Sequence, residues 1–165
     1  MTVQKLTRSA FLLALVIVLS FLESMLPPLV SFAPGIRLGL GNIVTMYALF
    51  TIDKKTAFML NILKSCFVFA TRGAIAAALS LTGGILSLVV IILLGAVLKQ
   101  RSSYIALSVS GAVFHNVGQL AAISVLMNNA AAFFYLPVLI IAGVVMGSVT
   151  GTVLNVVMPG LKNLK

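Results

Sequence analysis

A few polar side chains in this chain sit in long apolar stretches, and their types and spacing are chemically useful. Arg37, Lys64 and Arg72 are cations, Asn42, Asn116 and Gln119 carry amides, and His115 is the one histidine. Asn61, Lys64 and Ser65 share a helical face, and Lys64, Val68 and Arg72 recur at i, i+4 and i+8. His115 and Gln119 lie one helical turn apart, with Asn116 beside them. If these faces meet, they make a cationic pocket with amide and imidazole donors, suited to a carboxylate, a phosphate or a diphosphate. The alternatives are structural. Lys64 could snorkel or pair with Glu23, Arg72 could anchor a helix at a membrane interface, and His115 could join two helices.

Other chemistries lack their residues. One His, one Cys and two acids do not converge as a metal set, and neither acid is expected near His115 to complete a nucleophilic triad. Gly39-Leu40-Gly41-Asn42 lacks the strand–helix context and third glycine of a dinucleotide loop, and there is no Walker A sequence. No metal or cofactor is therefore expected. Cys66 has no disulfide partner in the chain and is expected to pack inertly.

The elements that position these residues follow from composition. Of 165 residues, 61% are apolar and 8% charged, against roughly 25% charged in a typical soluble domain. Such a chain cannot cover itself with a polar surface, so lipid is its expected solvent. A soluble enzyme, a disordered regulator and a free nucleic-acid binder are excluded. Apolar runs predict spans over Thr7–Leu26, Leu38–Ile52, Thr56–Thr71, a fourth ending near Leu98, Tyr104–Met127 and Phe133–Val157. The second is short and is expected to tilt or to begin inside the preceding loop. Ala74–Thr82, ending at Gly83-Gly84, reads as a short helix or a broken entry to the fourth span, and Pro159-Gly160 reads as the stop of the sixth. The expectation is one all-α domain over residues 1–165: six transmembrane helices of a multi-pass cell-membrane protein, with the first helix retained.

The net charge of +9 is mostly orientation. Six spans put both termini on one side. If that side is cytoplasmic, Lys5, Arg8, Lys54, Lys55, Lys99, Arg101, Lys162 and Lys165 lie inside, with Arg37 and Arg72 outside. Asp53 reads as a solvated partner of Lys54 or Lys55. Counting about 1.5 Å per residue places Lys64 about 14 Å and His115 roughly 17 Å from the inner ends of their helices. The polar set then occupies the midplane and outer half, as in a pocket opening outward, where ionisable groups are functional candidates by default. Gly143, Gly147 and Gly151 form a close-packing stripe, read as internal, whereas Ala10 and Ala14 could face either a neighbouring helix or a partner protein.

Three ordered segments carry a family resemblance. Residues Pro34-Gly35-Ile36-Arg37-Leu38-Gly39-Leu40-Gly41-Asn42-Ile43-Val44, Ser80-Leu81-Thr82-Gly83-Gly84-Ile85-Leu86-Ser87 and His115-Asn116-Val117-Gly118-Gln119-Leu120 resemble signatures of small bacterial membrane proteins. These are labelled heptaprenyl diphosphate synthase component I, or the Gx transporter family. That family is similar to the S components of energy-coupling factor (ECF) transporters, six-helix proteins that capture a small nutrient. S components dock on a coupling subunit driven by two ATPases. Their Ala-x-x-x-Ala docking pattern matches Ala10 and Ala14. The resemblance implies a substrate-binding subunit with a single pocket near the outer side, and the polar residues read above, Arg37, Asn42, Lys64, Arg72, His115, Asn116 and Gln119, are the expected lining around a small anionic or polar molecule. The alternative it implies is an accessory membrane subunit that partners a prenyl synthase. With one aspartate, the chain cannot build the aspartate-rich Mg²⁺ sites of prenyl diphosphate synthesis, so it is not expected to be catalytic.

Overall fold

In a computed structural model, the residues described are 3–25, 39–98, 103–128 and 130–162. The elements are α1 (Val3–Ser24), α2 (Gly41–Thr51), α3 (Lys54–Leu98), α4 (Tyr104–Leu126), a 3₁₀ segment (Ala130–Tyr135) and α5 (Leu136–Lys162). Among the described residues, four helical stretches are long and apolar enough to cross a bilayer: Val3–Ser24, Lys54–Leu98, Tyr104–Leu126 and Ala132–Met158. The chain is an all-α, multi-pass membrane protein.

The 45 residues of α3 are not one rod. Gly73 has φ +86° and ψ −180°, a backbone state that favours glycine. Across it the halves fold back on each other. Asn61 Nδ2 donates to the Leu81 carbonyl at 3.4 Å, Ser65 Oγ lies 3.5 Å from Ser80 Oγ, and Asn61 packs on Gly84. Ser65–Ser80 and Asn61–Gly84 are centred on the Arg72–Gly73 step and Asn61–Leu81 on Thr71, so the halves run antiparallel.

Gly84 shows how tightly the hairpin closes. A Cβ there would stand 1.9 Å from Asn61 Oδ1. The expected break near Gly83-Gly84 is absent: helix continues from Ala74 to Leu98, and the two glycines serve close approach instead.

The α4–α5 pair uses the same device. Cβ atoms at Gly143, Gly147 and Gly151 would lie 3.0, 2.4 and 2.5 Å from the Cα atoms of Val113, Val109 and Ile105. The GxxxG stripe therefore packs α5 antiparallel on α4, as its spacing predicts. In lipid, where apolar burial drives little association, such backbone contact is a main cohesive term. Large apolar side chains such as Phe69, Ile141 and Val156 point outward, where lipid solvates them. Cys66 is also on the outer surface, on the helix face opposite the Asn61–Lys64–Ser65 face.

Element boundaries shift in places. The described helix of the second span covers Gly41–Thr51, about 16 Å long, roughly half of a ~30 Å hydrocarbon core. α5 passes the expected stop at Pro159 and continues to Lys162. At the end where α1 begins, Lys5 forms an ion pair with Asp53, in place of the expected Lys54 or Lys55 partner. Asp53 Oδ1 also accepts from the Thr56 N–H at 2.7 Å, capping α3. The Lys5 bond, followed by the Thr56 bonds, holds the Asp53 carboxyl below the usual carboxylate range.

Apolar clusters flank a polar layer. Leu79, Leu120, Ile123, Ala132 and Leu139 pack toward the Gly73 end, and Met46, Ile91, Leu107 and Leu154 toward the other. Along α4 the buried residues between them are Ser108, Gly111, His115, Asn116, Gly118 and Gln119.

Candidate functional site

Lys64 is 4% exposed although it lies mid-way along the first half of α3. Its Nζ donates to Asn42 Oδ1 at 2.7 Å. The backbone of α2 permits this approach. A Cβ at Gly41 would lie 3.1 Å from Lys64 Cδ and 2.9 Å from Ser20 Oγ, so a side chain there would crowd the lysine stem. The amide of Asn42 is thus the described partner of the buried ammonium, and Glu23 stands across the same cleft.

Glu23 is 4% exposed at the end of the buried stripe Leu12, Val16, Ser20 and Glu23 of α1. Its Oε1 accepts from the Gly39 N–H. Gly39 has φ +80°, and a Cβ on it would lie 2.6 Å from Asn42 Nδ2 and 3.3 Å from His115 Nε2. Gly83 crowds the ring from the other half of α3: its Cβ would lie 2.9 Å from His115 Cε1. The imidazole is held between two glycines, with the Gly83 backbone beside the ring as a weak partner and Nδ1 buried without a hydrogen bond of good geometry. Gln119 Oε1 is likewise buried and unsatisfied one turn further on. Buried polar atoms without partners are costly, so two of them on one cleft mark a place where a ligand can supply the missing bonds.

These groups line a narrow cleft. Its walls are Ser20 and Glu23 of α1, Gly39 just before α2, then Lys64, Val68, Arg72, Ala76 and Ser80 of the α3 hairpin, and His115 and Gln119 of α4. It runs from Lys64 toward the Gly73 end. Two cations, a carboxylate, an imidazole and an amide can orient a small anionic or polar molecule by charge and by directional hydrogen bonds.

Of the seven residues singled out from the sequence, Lys64, Arg72, His115 and Gln119 share this cleft, and Asn42 reaches it through Lys64. Asn116 points elsewhere. Its Nδ2 donates to the Leu139 carbonyl at 2.7 Å and ties α4 to α5. Arg37 lies outside the described residues. Ala10 and Ala14 are exposed on α1, on the side away from its buried stripe. Ser20, Gly39 and Ser80 were not singled out as site residues. Ser20 was legible as one turn from both Val16 and Glu23, and Ser80 as the mirror of Ser65 across Gly73.

A buried, charged cleft between antiparallel helices defines the chain as a multi-pass membrane protein with a candidate small-molecule site. Residues 12–157 match the family described as heptaprenyl diphosphate synthase component I, and the chain belongs to that family. No curated protein and no solved structure gives a significant match. The segments that carry the resemblance converge in space: Gly39, Gly41 and Asn42 from the first, Ser80 and Gly83 from the second, His115 and Gln119 from the third.

Proposed function

We propose that this chain is a substrate-binding membrane subunit that takes up a small anionic or polar molecule, energised by partner ATPases in the manner of ECF S components. The observation that carries the reading is Lys64, a buried ammonium held by Asn42 at the head of a cleft with two unsatisfied polar atoms. An intramembrane lysine is expensive to bury, and an anionic ligand is one reason to keep it. In this reading Lys64 and Arg72 supply charge, and His115 and Gln119 supply direction. Asn116 holds α4 against α5, Arg37, outside the described residues, contributes a third cation, and Ala10 and Ala14 face the coupling subunit.

The topology proposed is six crossings in the cell membrane with cytoplasmic termini, in a single domain over residues 1–165. The antiparallel α3 hairpin supports it by supplying two passes where the secondary structure is continuous. The ion pair of Lys5 with Asp53 supports it by placing the start of α1 and the α2–α3 turn at one end, beside Lys54 and Lys55.

The family description favours a second reading: a non-catalytic accessory subunit that partners a prenyl synthase. Native mass spectrometry of the detergent-purified protein and of Lys64→Met, with identification of co-purifying proteins, tests both. The transport reading expects a small anion lost from the variant and recovery of coupling ATPases. Recovery of a soluble prenyl synthase with a bound prenyl diphosphate would replace it with the accessory reading.

A further inference from the structure

A second, narrow cleft adjoins the first at Gly39, with Asn42 on its wall. It lies between α2, the second half of α3, α4 and α5, on the side away from Gly73. Its walls carry no charged residue. They present the hydroxyls of Thr45, Ser87, Ser108 and Thr150 and the thioethers of Met46 and Met146. This set plays no part in the charge chemistry of the Lys64 cleft.

The hydroxyl protons decide what this cleft can hold. Thr45 Oγ1 donates to the Asn42 carbonyl at 3.0 Å, and Ser108 Oγ donates to Met46 Sδ at 3.1 Å. A hydroxyl has one proton to donate and two lone pairs to accept with. Both oxygens therefore keep lone pairs free to accept, Ser108 being 2% exposed, while the Ser87 and Thr150 hydroxyls have no described acceptor and keep protons to donate, so the wall suits a hydroxylated body that both donates and accepts. Asn42 Oδ1 is taken by Lys64. A cation without a counter-charge would be costly in this lining, and an apolar group would leave the acceptors unpaired.

We propose that the second cleft is the other half of one ligand site, receiving an uncharged, N–H- or O–H-bearing body whose anionic group sits at Lys64. Asn42 is the hinge between the halves, its side chain bonded to the cation and its carbonyl to Thr45. The ligand class is then a small anion with a donor-bearing body, such as a hydroxylated or amide-bearing carboxylate, and an alkyl-tailed anion is disfavoured. This inference rests on the anion-binding reading of the first cleft.

Calorimetric titration of the protein in nanodiscs with gluconate and with acetate tests it. The two probes share a carboxylate, and only gluconate carries a hydroxylated body. Gluconate is expected to bind at least about tenfold more tightly, the yield of two modest hydrogen bonds. Thr45→Val with Ser108→Ala should remove that advantage and leave acetate affinity unchanged. Ser87→Ala, a single mild change on the same wall, should reduce it if the double variant does not fold. Gluconate binding no tighter than acetate, or an advantage that survives these variants, overturns the proposal. Acetate binding that is lost in Lys64→Met reports on the charged cleft separately, so failure of the second cleft is distinguishable from failure of the first.

Discussion

Lys64 and Asn42 meet at 2.7 Å, ammonium to amide oxygen, across the contact between α2 and α3. The pair ties the signature segment that opens α2 to the cation of the α3 hairpin. It also fixes how deep α2 begins. Gly39, three residues before Asn42, lies against His115 near the middle of α4, so the described part of α2 starts inside the fold.

Removing that amide should expose the cost of the lysine. Asn42→Leu leaves the Lys64 ammonium buried without its described partner and should lower stability by about 1–3 kcal/mol. Lys64→Met alone removes the charge together with its need for a partner and should cost less. Added to Lys64→Met, Asn42→Leu should cost less than it does alone, giving a coupling energy above about 0.5 kcal/mol. Thermal unfolding in detergent of the two single variants and the double variant measures this, and additive losses would show that the contact is incidental.

The α3 hairpin should be sensitive to one methyl group. Gly84→Ala places a Cβ where Asn61 Oδ1 now stands, 1.9 Å away, and overpacking of this kind costs about 1–3 kcal/mol. Asn61→Ala in the same chain makes room and should restore much of the loss. No rescue, with Gly84→Ala alone well tolerated, would mean that the halves of α3 are not pressed together at this level.

Much of this architecture is legible in the sequence, and the misses have physical causes. The GxxxG stripe of α5 reads directly because its period matches the helix and its partner is the neighbouring antiparallel helix. His115 and Gln119 read as a pair for the same reason. Asn116 does not separate from them by spacing. Adjacent helical residues point about 100° apart, and only the placement of α5 shows that Asn116 faces Leu139. The role of Gly39 is not legible, because a glycine that clears a ring from a distant helix leaves no local pattern. Gly83-Gly84 reads as a breaker by residue type, whereas the surrounding helices make it a contact surface.

The Asp53 carboxyl sets an acid limit on the end of the bundle where α1 begins. Its folded pKa is lowered, first by the Lys5 bond and then by Thr56. The folded state therefore binds fewer protons than the unfolded state below the ordinary value of about 3.9, and stability rises with pH in that range. The contribution is complete above pH of about 4 and falls away as the pH drops through the lowered folded value. Asp53→Asn should flatten the acid part of a melting-temperature profile and leave the neutral part parallel to wild type. An unchanged acid slope would place the effect on another group.

The outward face of α1 gives the sharpest separation of stability from partnership. Ala10 and Ala14 are exposed, and the inward stripe of the same helix is Leu12, Val16, Ser20 and Glu23. Enlarging the two alanines directs the added bulk away from the buried stripe of the described residues. Ala10→Leu with Ala14→Leu should therefore leave the melting temperature and ligand affinity near wild type, since surface substitutions rarely exceed about 0.5 kcal/mol. A helix that docks through this face needs small residues for close backbone approach, and two leucines would hold it off by several ångströms. On the transport reading proposed above, affinity purification from membranes should then recover the protein without a coupling subunit, while a Lys64→Met variant purified in parallel keeps such a subunit and loses a bound anion. Unchanged recovery from the leucine variant would move the docking surface off this face of α1, toward other outward-facing positions such as Val144 and Val153 on α5.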